Sequence, residues 1–318
     1  MGRYLIRRVL LSIVTLIAIS IVIFSILALA PGDPLGEFAT NPNVPPELQA
    51  KIRESYGLDD PIHIRYRSWA WQYLQGNWGE SFSSKIPVQE YVFSRLPVTL
   101  AVIGSSFVVG ILIAIPLGVI SAVKQYSLFD QLATTFAFLG FSIPTFFSGI
   151  VLIYIFSVVL QGTPFALPFV FNSQVTGFWP NVQQSIMPVA VLALFNAAGL
   201  MRFVRASMLE TLNQDYVRTA RAKGLREQVV IVFHAMRNAL IPVVTIIALQ
   251  VPTVFGGAVV TEQIFRVPGI GRALIDGILS RDIPVVMAIT FGVAILVVIF
   301  NVIADILYAT LDPRIKYD

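Results

Sequence analysis

Long apolar runs dominate the chain, and charged residues are confined to the gaps between them. No charge occurs from residue 9 to 32, and a second run lies between Pro97 and Lys124, with Gly110, Pro116 and Gly118 inside it. From Gln131 to Met201 no charged residue appears at all. A helix of about 20 apolar residues crosses the hydrocarbon core of a bilayer, so this third stretch is too long for one crossing. Gly162-Thr163-Pro164, Pro168, Asn172 and the 177–181 segment break it. The pattern predicts two spans there, about 133–160 and 184–203. Further runs cover 238–261 and 283–308, the last interrupted only by Asp305. The expectation is an all-α membrane protein with six transmembrane helices.

Composition supports this and removes other classes. Hydrophobic residues are 56% of 318 positions and charged ones 13%, against roughly 25% charged in soluble domains. Mean hydropathy is +0.77. Cysteine is absent, which excludes disulfides and thiol nucleophiles. His63 and His234 are the only histidines, leaving little for acid–base catalysis or transition-metal ligation. A pI near 9.4 raises nucleic acid as a partner, but in a membrane protein the basic excess is an orientation signal. Arg3, Arg7 and Arg8 precede the first run, and Ala28-Leu29-Ala30 has the form of a signal-peptidase site. The run is longer than the roughly 7–15 residues of a signal core, so a retained span is favoured.

Basic residues sort onto one side of a six-span arrangement. That side holds Arg3–Arg8, Lys124, seven basic residues from Arg202 to Arg237, Arg314 and Lys316. By the positive-inside rule both termini and the 205–237 loop are cytoplasmic. The chain then divides into an N-terminal helix (1–30), a periplasmic segment (31–97), a five-helix core (98–308) and a tail (309–318). Trp69, Trp71, Tyr73 and Trp78, with Tyr56 and Tyr66, mark the periplasmic segment as ordered. A short helix is expected at 46–56, between Pro45-Pro46 and Gly57. The aromatics suit either a membrane-interface loop or a small subdomain that touches a partner. In the 205–237 loop, Leu209, Leu212 and Tyr216 recur at helical spacing, with Arg205, Arg218 and Arg221 on the polar side. After Gly224 a second helix is expected, with Val229, Val232, Phe233 and Met236 as its stripe. Such a knob can enter a groove on another protein or lie on anionic lipid.

At these residues a family resemblance becomes specific. The stretch from Asp215 to Gly224 (DYVRTARAKG), followed by His234 to Pro242 (HAMRNALIP), closely resembles the cytoplasmic loop of dipeptide/oligopeptide/nickel-type ABC importer permeases. Tyr4-Leu5-Ile6-Arg7-Arg8, Ala30-Pro31-Gly32-Asp33-Pro34, Pro116-Leu117-Gly118-Val119, Glu262 to Gly271 (EQIFRVPGIG) and Arg281-Asp282-Ile283-Pro284 resemble the same family, in order along the chain. In ABC importers this loop carries a Glu-Ala-Ala-x-x-x-Gly signature. Gly224 and Ala220 fit it, while Arg218 and Thr219 stand at the glutamate and first alanine.

The resemblance implies the type I permease fold and a complex of a second permease, two ATP-binding subunits and an external solute-binding protein, within membrane lipid and without nucleic acid. ATP and Mg would be held by the ATPase chains. This chain has no Gly-x-x-x-x-Gly-Lys-Ser/Thr loop to cradle phosphates and holds no cofactor of its own. Arg218, Thr219, Ala220, Arg221, Lys223 and Gly224 would couple ATP-driven closure to the spans, with the arginines taking over the role of the missing glutamate against acidic groups or carbonyls. Pro268, Gly269 and Gly271 would set a periplasmic loop toward the second permease and the binding protein, or simply form a tight turn. Ser142, Asn196, Gln250 and Asn301, with Thr145 and Asp305, are polar positions for a pathway, though interhelical packing accounts for each singly. Peptides, nickel chelates and glutathione-like compounds all remain open as solutes. An ion-coupled secondary transporter would bury carboxylates or repeat its halves, and an intramembrane hydrolase would need a nucleophile and base at membrane depth; neither pattern is visible.

Overall fold

A computed structural model describes residues 2–29, 45, 47, 53, 54, 57, 59–172 and 174–311. Its helices are α1 (Gly2–Ala28), α2 (Ile62–Leu74), α3 (Val88–Val123), α4 (Leu128–Ser142), α5 (Thr145–Ile153), α6 (Phe178–Leu212), α7 (Asp215–Ala222), α8 (Arg237–Phe265), α9 (Ile270–Leu279) and α10 (Ile283–Leu311). A π-helical turn, Tyr154–Val159, extends α5, and Glu227–Val229 followed by a second π turn, Val230–Met236, leads into α8. Five of these segments are each long and apolar enough to cross a bilayer, and α4 with α5 makes a sixth if the bent pair is one crossing. The helix expected at 46–56 lies largely outside the described residues, as does the tail from 312.

The spans differ from expectation where polar ends continue a helix. Instead of stopping at 203, α6 runs on to Leu212. The reason is local: Val204, Met208 and Thr211, at helical spacing, are all buried, so the helix keeps an apolar face after the fully apolar stretch ends. At the other end of its range, α3 starts at Val88 and carries Pro97 and Pro116 within it. The span expected at 133–160 is not straight. Ile143 is extended (φ −82°, ψ 124°), as the residue before a proline prefers, and Pro144 starts α5 at 101° to α4. Ser127 caps α4, its hydroxyl accepting from the Asp130 amide at 3.2 Å.

At the centre lies α6, packed against α3, α4, α5 and α8. The α3 contact is close enough to exclude a side chain at Gly118, where a Cβ would come within 2.7 Å of Val204 and 2.9 Å of the Met201 carbonyl. Outside this core, α1 lies against α10 and α2. Its Arg8 pairs with Asp305, and the Ser20 hydroxyl bonds Tyr66 at 2.9 Å. Of the aromatics between α1 and α3, Tyr66, Trp69, Tyr73 and Trp78 pack on one another, on α1 or on α10, whereas Trp71 is exposed and Tyr56 lies outside the described residues. Trp78 stacks on Tyr73 at 4.8 Å, and Tyr73 and Trp69 both meet Phe291. Ser81 donates to buried Asp282 at 2.5 Å, and the Ser83 amide donates to the same oxygen at 3.0 Å.

Candidate functional site

Two loop structures occupy opposite ends of the bundle. At one end, α6 stops at Leu212 and α7 turns back over it. Val217 and Ala220, three residues apart, are the buried pair of α7. They join an apolar cluster with Met208, Val230 and Ala235. This leaves Arg218, Thr219, Arg221 and Lys223 exposed, so of the six positions expected to couple, Ala220 holds the knob down while those four side chains face outward. Arg218 lies 3.7 Å from Asp215, and the Thr219 hydroxyl donates to the Asp215 carbonyl at 2.9 Å. The Arg221 fork is occupied within the chain: its Nη2 donates to Glu227 at 2.7 Å and its Nε donates to the same carboxylate at 3.2 Å. That clamp spans the turn at Gly224, which sits at φ +75° with open space around it. A left-handed φ is available to glycine and costs other residues.

Two sequence expectations for this loop are corrected. Arg205 does not belong to its polar side. It lies within α6, and its Nε and Nη2 donate to the two oxygens of buried Asp130 at 2.7 and 2.8 Å. Asp130 also accepts from Ser121 and from the Tyr126 amide, so the α3–α4 turn is tied to α6. Leu209 and Leu212 likewise belong to α6, while Tyr216 is exposed. Beyond Gly224 the stripe expected from Val232 and Phe233 points outward; the buried positions are Val230, Ala235, Ala239 and Val243. The π turn is the reason. Its hydrogen bonds span five residues instead of four, so Val230 and Ala235 share a face that α-helical spacing does not predict.

At the other end, Glu262 is fully buried at the junction of α3, α8 and α9. Thr99 donates to its Oε1 at 2.7 Å, and the Arg272 amide donates to Oε2 at 3.0 Å. Thr99 in turn accepts the Ile270 amide at 2.8 Å. The free amides at the start of α9 are thereby satisfied by side chains from two other helices. This explains the glycines. A Cβ at Gly269 would overlap the Glu262 carboxylate, and one at Gly271 would come within 2.6 Å of the Val259 Cα. Both are buried, with Pro268 half-buried beside them. They serve close approach inside this chain.

The polar positions proposed for a pathway are spread over five helices. Ser142 is exposed at the α4–α5 elbow, and Asn196 on α6 is partly buried with an Nδ2 that has no partner among the described residues. Gln250 and Asn301 are partly buried on α8 and α10. Thr145 opens α5, and Asp305 is taken by Arg8. Sequence reasoning assigned no role to Asp130, Glu262 or Asp282. Each is a lone carboxylate at the edge of an apolar run, and that was the available signal.

Comparison with known proteins places this geometry. Residues 114–317 match the model of the binding-protein-dependent transport system inner membrane component family, and residues 1–103 match the model of its N-terminal region. The oligopeptide transport system permease protein AppB of Bacillus subtilis (strain 168) is 44% identical over the whole of both chains. The dipeptide transport system permease protein DppB of Escherichia coli (strain K12) is 38% identical, over 100% of this chain and 99% of its own. Among solved structures, an amino acid ABC transporter crystallised with histidines superposes with a TM-score of 0.53, covering 70% of this chain and 94% of that one. It is 13% identical and bears on the fold alone. By chain-long similarity and by fold, this protein belongs to the binding-protein-dependent transport system inner membrane component family.

Proposed function

We propose that the chain is one of two permease subunits enclosing the passage of a peptide importer, with ATP hydrolysed on two separate ATPase chains and solute delivered by an external binding protein. The observation that carries this is the knob formed by α7 and the Gly224 turn. It is built on a buried apolar base, clamped by Arg221 and Glu227, and presents Arg218, Thr219 and Lys223 outward. A rigid projection of this kind transmits displacement as a body, and the family and the named peptide permeases supply the context. The peptide solute rests on those relatives' names. ATP and Mg would sit in the ATPase chains; the role of this chain is to receive their motion. Basic-residue placement supports a cytoplasmic knob and a periplasmic α9.

The test is co-expression with the candidate ATPase chains and binding protein, followed by reconstitution in vesicles. Peptide uptake that requires ATP inside the vesicle compartment facing the knob, together with co-purification of the ATPases, is the expected result. Uptake driven by an ion gradient without ATPase chains would refute the assignment.

A further inference from the structure

Arg202, grouped by the sequence with the cytoplasmic basic residues, instead lies inside α6, ten residues before the helix ends, which is about 15 Å of rise. One turn further along, Arg205 is fully engaged by Asp130. Arg202 is not: among the described residues no carboxylate pairs with it, and its Nε is shielded from solvent without a hydrogen-bond partner. Instead its guanidinium lies 5.3 Å from the Phe138 ring centre and 4.7 Å from that of Phe141. Phe141 is itself fixed by stacking on Phe195 at 5.7 Å. Two aromatic faces hold the cation in place and leave its Nε without a partner among the described residues.

Phe138 and Phe141 are in the last turns of α4, directly before the 101° elbow. There Ser142 is exposed, and Pro144 has no amide to continue the ladder. Interrupted backbone at membrane depth persists only against protein or beside a water-filled passage, not in lipid. An unpaired cation in a span is costly unless such a passage or an anion meets it. A guanidinium fork matches a carboxylate in a two-bond arrangement.

We infer that Arg202, seated on Phe138 and Phe141 at the α4–α5 elbow, binds the carboxylate of the transported solute within the passage. This rests on the importer reading given above. The other source of an oxyanion is a lipid phosphate, and the experiment separates the two.

The reconstituted complex is assayed for uptake of trialanine and of trialanine amide, with wild type, Arg202→Lys and Arg202→Gln. Vesicles are made of phosphatidylcholine alone or with phosphatidylglycerol. Wild type favours the free carboxylate; Arg202→Gln loses on the order of tenfold in trialanine uptake and loses the preference, and Arg202→Lys keeps part of it. A solute-independent arm uses the absence of native cysteine. Ser142→Cys is modified with an anionic and a cationic methanethiosulfonate, and the anionic-to-cationic rate ratio falls several-fold when Arg202→Gln is added. If wild type imports neither peptide while the rate ratio still falls, the peptide reading fails and the anion site stands. Unchanged preference in Arg202→Gln, or an unreactive Ser142→Cys, overturns the site. A defect seen only with phosphatidylglycerol, with the carboxylate preference intact, also overturns it and assigns Arg202 to lipid.

Discussion

Gly224 and Gly271 have the same side chain for opposite physical reasons, and substitutions separate them. Gly224 has open space but a left-handed backbone, so Gly224→Leu costs about 1–2 kcal/mol in backbone strain without a clash. The expected outcome is a chain that inserts and purifies normally while ATP-dependent uptake is lost. Full uptake by Gly224→Leu would reduce the knob to a membrane-surface element. Gly271 has an ordinary backbone and no room: a Cβ meets the Val259 Cα at 2.6 Å, and backbone cannot yield as a flexible side chain does. Gly271→Ala is therefore expected to cost about 1–3 kcal/mol as overpacking, seen as a lower midpoint of thermal unfolding in detergent. An unchanged midpoint would mean the α8–α9 junction is looser than its geometry. Part of this was legible in the sequence. A glycine between two short helices signals a turn, and Gly224 is one. The reason for Gly269 and Gly271 was hidden because it lies in the close approach of Glu262 and Val259, which the spacing of residues does not reveal.

Among whole elements, the two arginine–carboxylate pairs near the knob differ in what surrounds them. Arg205 and Asp130 are largely shielded, at 24% and 4% side-chain exposure, whereas Arg221 and Glu227 are at 42% and 55%. Removing one partner of a shielded pair strands the other charge and costs about 3–5 kcal/mol. An exposed pair is worth about 0–1 kcal/mol. Arg205→Ala should thus lower the unfolding midpoint markedly and loosen the α3–α4 turn from α6, while Arg221→Ala should leave the midpoint nearly unchanged. Equal effects would show that Asp130 is solvated in practice. The apolar runs made the spans readable, because lipid imposes length and hydrophobicity on every crossing. What they could not reveal was the π turn at Val230–Met236, since a five-residue hydrogen-bond pattern leaves no periodic mark in so short a segment. Nor did they show that Asp130, just outside an uncharged run, would be the anchor for Arg205.

Across the whole molecule, the parity of the crossings depends on the bent pair. Were α4–α5 re-entrant, the chain would cross five times and its ends would lie on opposite sides; as one crossing it gives six. Contacts at its two ends favour a crossing. Where α4 begins, Asp130 is held by Arg205, near the end of α6 that leads into the knob. Beyond α5, the Phe171 amide bonds the Phe265 carbonyl at 3.0 Å, at the far end of α8. The pair therefore starts at the knob end and finishes at the α9 end. The absence of cysteine makes this directly testable. Thr163→Cys and Lys223→Cys both place an exposed thiol, the first beyond α5 and the second in the knob. With a membrane-impermeant maleimide on intact cells, Thr163→Cys should be labelled at once and Lys223→Cys only after lysis, as the basic-residue placement requires. If both are reached only after lysis, the bent pair turns back within the membrane. The elbow at Ile143-Pro144 would then be the tip of a re-entrant loop, and Arg202 would face a pocket open to one side only.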